Sequence, residues 1–398
     1  YMVCKMPRWD LKKFAGATVE IGSEMKSVGE VMAIGRNFAE VLQKALRMLD
    51  IGVDGLDTSN FGEIVDLARD LRPTPRRPFA IAAALKQGYS VEEIHQHTRI
   101  DRWFLEHLRK IVQLEQELVA NRDEVPEALL KDAKRHGFAD AAIGRVTNQT
   151  EQSVRSQRQS HGIVPHYSQI DTLAAEFPAE TNYLYSSYSS IADDVKPSQR
   201  RKLLVLGSGC YRIGSSVEFD WCAVNAVNAA ARLGYETIML NCNPETVSTD
   251  YDTTDQLVFE EVSFESVCDL CEREKPDGII VSMGGQLPNN LALRLHQAGL
   301  PILGTSPEDI DRAEDRRKFS SLLDVLGIDQ PAWLHVTDIG KADEMVATLG
   351  GYPVLVRPSY VLSGAAMSVA HEPKELVRIL ERAKIVSPDP VSYTHLRA

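Results

Sequence analysis

Nowhere in the sequence do apolar residues run on for the roughly 20 positions that a bilayer-crossing helix needs, so no membrane-spanning segment and no membrane partner are expected. Basic residues are outnumbered: 44 Lys and Arg against 56 Asp and Glu leave a net charge of −12. That balance argues against a general binder of nucleic acid or of acidic membrane surfaces, both of which reward positive charge. Cysteine is sparse, with six residues at positions 4, 210, 222, 242, 268 and 271. Four of them lie in apolar strand-like or helix-like surroundings, which suits reduced thiols rather than a disulfide framework. Cys268 and Cys271 have CxxC spacing but lie inside a helical pattern with no second Cys/His pair nearby. Packing is expected there, not zinc or redox chemistry. Neither a signal peptide nor an initiator Met opens the sequence at Tyr1; cytoplasm is the default expectation, and an N-terminus preceding Tyr1 could carry a mitochondrial signal.

What is present is an ordinary globular composition, 43% hydrophobic and 25% charged over 398 residues. At about 100–200 residues per domain this makes two to four domains. Residues 1–50 read as a strand over Tyr1–Met6, a loop with Gly16 and Gly22, and a helix from about Ser27 through Leu49. Residues 55–195 read as helices without a convincing strand. Ser90, with Glu93 three positions on, predicts a capping box. Phe138–Ile163 imitates a helix-turn-helix with Arg155 and Arg158 on its second helix. Acids and bases are nearly balanced here and no basic arm flanks the unit, so a helical packing region is expected instead. Tyr183–Pro197 reads as an extended linker.

Residues 201–310 alternate strands (Lys202–Leu206, Thr237–Leu240, Gly278–Ser282, Leu300–Leu303) with helices, the pattern of a parallel sheet covered on both faces. Ligands of such sheets bind beyond the carboxyl ends of the strands. Three loops fall there: Gly207–Gly209, Asn243–Asp250 and Gly284–Gln286. The spacing from Gly207-x-Gly209 to Gly214 is wrong for GxGxxG, and the second strand ends in Asn241 rather than a ribose-binding acid, so a dinucleotide is not expected. Further on, Pro353–Val356 reads as a buried strand, with Arg357 held at its end. The small residues Ser363–Ala366 then form a loop that lets backbone N–H groups approach an anion.

Taken together, YMVCKMPRWDLKKFAG, MKSVGEVMAIGR, RIGSSVEFDW (Arg212–Trp221), NCNPETVSTDYDTTD (Asn241–Asp255), MGGQLPNN (Met283–Asn290), DRAEDRRKF and LVRPSYVLSGAAM closely resemble the large subunit of carbamoyl-phosphate synthetase, in that family's order and over nearly the whole chain to about Pro390. The resemblance implies a multidomain α/β plus all-α chain: residues 1–50 ending a first ATP-grasp domain, 51–200 a helical oligomerisation domain and linker, 201–310 a parallel-sheet pre-ATP-grasp domain, and 311–390 the start of a second ATP-grasp domain. VSYTHLRA (391–398) breaks from the texture before it and is expected to be a non-native tail.

The implied activity is an ATP-dependent ligase making carbamoyl phosphate from bicarbonate and ammonia through carboxyphosphate and carbamate, for arginine and pyrimidine synthesis. Arg316 and Arg357 would contact ATP, their guanidinium forks stabilising phosphate charge. Gly364 would sit in the loop against it, although Ser363-Gly364 stands where Gly-Gly is usual in the family's first half. Arg212 and Asn243 would face the path of substrate and intermediate. The cofactors would be ATP with Mg2+ or Mn2+, whose ligands lie outside these residues. The expected partners are a glutamine amidotransferase, separate or fused, and further copies of the chain through the helical domain. By itself the fragment is expected to be inactive. The competing reading is a non-catalytic oligomerisation or regulatory protein that reuses an α/β sheet.

Overall fold

The computed structural model describes all residues except 12, 13, 15, 60, 181, 215, 216, 337, 338, 359–366, 387–390 and 396–398. Two compact units emerge. The larger holds Tyr1–Arg212 and Ser216–Leu303, and the smaller holds Ile213–Ser215 with Gly304–Ala398.

The larger unit begins with a two-stranded antiparallel pair, β1 (Met2–Arg8) and β2 (Gly29–Gly35), in continuous register from Met2↔Gly35 to Arg8↔Gly29. This corrects the expected helix from Ser27. The helix, α1 (Phe38–Met48), starts only after Asn37, whose side chain accepts from the Glu40 N–H at 3.0 Å. A short apolar run such as Val31–Ile34 satisfies either period, and its pairing with β1 decides the outcome.

Helices α2 (Leu67–Asp70), α3 (Arg77–Lys86), α4 (Val91–Thr98), α5 (Arg102–Ala120), α6 (Glu127–Arg135), α7 (Asp140–Thr147) and α8 (Glu151–Ser160) follow. Along α5 the buried residues Leu105, Leu108, Ile111, Val112, Leu114 and Leu118 recur at helical spacing. They join Leu46 of α1, Ile81 of α3, Ile94 of α4 and Ile143 of α7 in one hydrophobic core. The capping box at α4 is present: Ser90 Oγ accepts from Glu93 N at 3.2 Å, and Glu93 accepts from Ser90 N at 2.8 Å.

Next come β3 (His166–Gln169), β4 (Tyr183–Ser187), β5 (Lys202–Leu206), α9 (Glu218–Arg232), β6 (Glu236–Asn241), β7 (Gln256–Phe259), α10 (Phe264–Glu274), β8 (Gly278–Ile280), α11 (Gln286–Gln297) and β9 (Ile302–Leu303). The seven strands form one sheet in the order β3-β4-β7-β6-β5-β8-β9, parallel except for the β3–β4 edge pair. Every residue of β5 and β6 is buried, as strands covered on both faces require. The expected linker at Tyr183 is therefore partly a strand. Tyr183 and Leu184 pair with Leu257 and Val258, more than 70 positions along the chain, so no local pattern could announce it.

In the smaller unit, α12 (Pro307–Glu314), α13 (Arg316–Leu326), β10 (Trp333–Val336), α14 (Ala342–Thr348), β11 (Val354–Pro358), β12 (Ser368–Ala370), α15 (Pro373–Val386) and β13 (Val391–His395) succeed one another. Its four strands are ordered β10-β13-β11-β12, all antiparallel. Val354, Val356, Ala370, Leu376 and Leu380 are buried in its core with Ala342 and Val346 of α14.

Removing the Ser90 hydroxyl with Ser90→Ala strips α4 of a cap and should cost about 1 kcal/mol. Urea unfolding followed by circular dichroism checks this, and an unchanged midpoint would contradict the cap.

Candidate functional site at the carboxyl edge of the parallel sheet

The strand order reverses between β5 and β8, and the crevice of such a sheet opens there, outside the carboxyl ends. Immediately after β5 the chain turns at Gly207–Gly209, with Gly209 at φ 66°. The turn lies against Asn241, the last residue of β6: a Cβ on Gly207 would come within 2.4 Å of the Asn241 side chain. Asn241 is wholly buried. Its Oδ1 accepts from Gly209 N at 3.1 Å and from Cys242 N at 2.9 Å, while its Nδ2 donates to Ser248 Oγ at 3.0 Å. Ser248 N in turn donates to Asp220 of α9 at 3.2 Å. One amide thus ties the loops after β5 and β6 together and, through Ser248, links them to α9. An aspartate there would lack the donor that reaches Ser248.

Gly284 and Gly285 lead into α11 on the other side of the crevice. Gly285 has φ 74°, and a Cβ on it would meet the Phe219 ring at 2.6 Å. The start of β2 closes in as well, since a Cβ on Gly29 would lie 2.0 Å from the Tyr211 carbonyl oxygen. Four of the stretches singled out from the sequence, around Gly29, Arg212, Asn241 and Gly285, therefore converge within the larger unit.

Arg212 is ion-paired with Asp50, itself at φ 49°, just after α1. Arg8 donates to the backbone carbonyls of Leu49 and Asp50, the latter at 3.0 Å, and pairs with Asp10 at 3.1 Å. Asn243 is buried: its Oδ1 accepts from Glu245 N at 3.1 Å and its carbonyl accepts from Thr249 Oγ1 at 2.9 Å. Among the described residues, Asn243 Nδ2 has no hydrogen-bond partner, nor do Ser208 Oγ, Asp220 Oδ1 and Asn289 Oδ1. Buried polar atoms without partners are rare in native interiors; here two belong to the loops after β5 and β6 and two to the helices α9 and α11. Glu245 is drawn below the usual carboxylate range by the hydrogen bond from Lys5 at 3.0 Å, and Lys5 also reaches Glu30 at 2.8 Å.

Burial pushes the Cys210 thiol up to about 12 and Cys4 to about 11, and raises Cys242 well above its ordinary value. The CxxC pair behaves alike, Cys271 rising to about 12 and Cys268 to about 11, and both pack on α10. Among the described residues no three His, Cys, Asp or Glu side chains gather as a metal site would need.

The other candidate residues lie in the smaller unit. Arg316 opens α13, which Asp315 caps by accepting from Arg317 N at 2.9 Å and Lys318 N at 3.0 Å. Arg357 lies on β11, while Gly364 falls outside the described residues. Sequence reasoning missed Asp50 and the clamp role of Asn241. The one available signal was that a strand-end residue expected to be acidic is an amide.

Three family models match in chain order: the oligomerisation domain of the carbamoyl-phosphate synthetase large chain over residues 30–162, the carbamoyl phosphate synthase preATP-grasp domain over 199–312, and the ATP-binding domain of the carbamoyl-phosphate synthase L chain over 315–395. The chain belongs to the carbamoyl-phosphate synthetase large-chain family. Among relatives, it is 51% identical over 395 residues to the carbamoyl phosphate synthase arginine-specific large chain of Eremothecium gossypii, covering 98% of this chain and 35% of that protein. It is 50% identical over 400 residues to the mitochondrial arginine-specific large chain of Neurospora crassa, covering 99% and 34%, and 50% identical over 392 residues to multifunctional protein CAD of Squalus acanthias, covering 98% and 17%. The chain therefore spans about a third or less of the relatives it matches. The order expected from the large-subunit resemblance, helical domain, parallel sheet and ATP-binding piece, is the order in which the family models match.

Gly29→Ala forces a methyl into the Tyr211 carbonyl and should destabilise the larger unit by about 1–3 kcal/mol in urea unfolding, as overpacking does. Iodoacetamide at pH 8 should leave Cys210, Cys242, Cys268 and Cys271 unmodified in the folded chain and label all four in urea, because a buried thiol stays protonated. Rapid labelling of any of them in the folded chain would contradict the burial.

Proposed function

We propose that this chain is the central portion of a carbamoyl-phosphate-forming ligase. In this reading one ATP phosphorylates bicarbonate to carboxyphosphate, ammonia from glutamine converts it to carbamate, and a second ATP phosphorylates the carbamate. The observation that carries the proposal is the unbroken succession of three large-chain domains at about half identity to arginine-specific and multifunctional relatives. Phosphoryl transfer of this kind depends on positioning and electrostatic stabilisation more than on covalent chemistry. That suits a sheet edge clamped by hydrogen bonds.

Arg316, Arg357 and the loop at Gly364 are the residues proposed to hold ATP phosphates in the ATP-binding piece. Arg212 and Asn243 are proposed to line the path by which carbamate reaches it. Mg2+ or Mn2+ would accompany the nucleotide. Among the described residues no three His, Cys, Asp or Glu side chains gather to hold that ion. The proposed partners are a glutamine amidotransferase, separate or fused, and other copies of the chain through residues 30–162, which match the oligomerisation domain. No described helix is long and apolar enough to cross a membrane, and we propose cytoplasm as the working location.

The purified 398-residue chain should make no carbamoyl phosphate from ATP, bicarbonate and ammonia. Substituted for the matching third of the Eremothecium gossypii large chain, it should support synthesis. Arg357→Ala in that chimera should lower kcat/KM for ATP roughly 10–100-fold, the worth of a hydrogen bond to a charged group. A chimera that works equally well with Arg357→Ala would remove that arginine from the site, and one that never forms carbamoyl phosphate would overturn the proposal.

A further inference from the structure

The larger unit contains a seam of buried charge that neither the sheet edge nor the family match accounts for. Its cations come from the helical side: Lys44 and Arg47 on α1, Lys134 on α6, Arg155 and Arg158 on α8. Four of its carboxylates come from one stretch on the sheet side, Glu260 and Glu261 just after β7, and Glu265 and Asp269 on α10.

The geometry is close throughout. Arg158 is fully buried, and it donates through Nε to Asp140 at 2.8 Å and through Nη2 to Asp269 at 2.8 Å. Lys134 Nζ bridges Asp140 at 2.8 Å and Glu265 at 2.7 Å. Glu265 also accepts from Asp140 N at 2.6 Å, and the Tyr188 hydroxyl donates to Glu265 at 2.8 Å. Arg155 pairs with Asp269 at 2.6 Å. Towards β7, Arg47 reaches Glu261 at 2.7 Å and Lys44 reaches Glu260 at 2.6 Å. Glu260 N donates to the carbonyl of Asn241, the residue that clamps the candidate site.

We propose that this seam is a register lock, which makes the helical region and the parallel sheet open and close as one body and holds the end of β7 beside the Asn241 clamp. Ion pairs taken out of water are costly to break one partner at a time, because the remaining charge is stranded. Sliding the helices along the sheet would strand several at once. The polarised layout, with all five cations on one side, penalises every alternative docking in the same way.

Hydrogen–deuterium exchange of the whole chain in a urea series tests the lock, comparing peptides from α5 with peptides from β6. In the unaltered chain both should exchange through a common opening. Asp269→Asn, which keeps the shape and removes the charge, should accelerate α5 relative to β6 by about ten-fold or more, and Arg158→Met should do so more strongly. Ile111→Ala, a helical-core change away from the seam, should accelerate both by the same factor. The proposal is overturned if α5 and β6 already open separately in the unaltered chain, if Ile111→Ala separates them, or if neither seam variant changes their ratio. Should Arg158→Met fail to fold, the isosteric Asp269→Asn still decides.

Discussion

A charge removed from water must be met by an opposite charge or by hydrogen bonds, and that constraint organises the larger unit. In sequence the helical region carries nearly balanced charge, with nothing local to show that its Lys and Arg are buried. The structure instead puts Lys134, Arg155 and Arg158 inside, against α10. Each such cation forces an acid into one position, so the pairs specify how α6 and α8 lie on the sheet more sharply than apolar contact could. Hydrophobic burial supplies the bulk of the driving force, through Ile111, Leu114 and their neighbours, but it is tolerant of register.

The carboxyl edge follows a second constraint, that of close backbone approach. Gly29, Gly207 and Gly285 stand where a Cβ would strike a carbonyl, an amide or an aromatic ring. Between them, Asn241 uses both ends of its amide to tie the turns after β5 and β6 to one another. Several buried polar atoms beside this clamp have no hydrogen-bond partner among the described residues, so their hydrogen-bonding capacity is not spent on the fold.

The parts of this architecture that were legible were those with local causes. Within the strands Lys202–Leu206 and Glu236–Asn241, Leu203–Leu206 and Thr237–Leu240 are unbroken apolar or β-branched runs, and the helix between them is amphipathic. Ser90 and Glu93 announced their own cap. The positions of these loops were legible too, because glycine-rich and polar stretches follow the buried runs that form the parallel strands. The β2 strand was misread as helix because its apolar run fits both periods until β1 is laid beside it. Likewise Tyr183–Ser187 becomes a strand only through its partners β3 and β7. Arg155 and Arg158 looked like the reading face of a DNA-binding helix, yet they are committed to Asp269 and Asp140.

By itself, then, the sequence determined the identity and order of the pieces: helices by periodicity, parallel strands by buried runs, and family membership by long motifs in a set order. These are properties of neighbouring residues, and neighbours are what a sequence displays. Only the tertiary structure decided which short apolar runs pair as strands, which arginines are buried, and that Asn241 clamps two loops while Asp50 pairs with Arg212. Those outcomes rest on contacts between residues far apart in the chain, such as Arg158 with Asp269 and Arg212 with Asp50. The energy of such a contact depends on the distance and the surrounding dielectric, neither of which exists until the chain has folded.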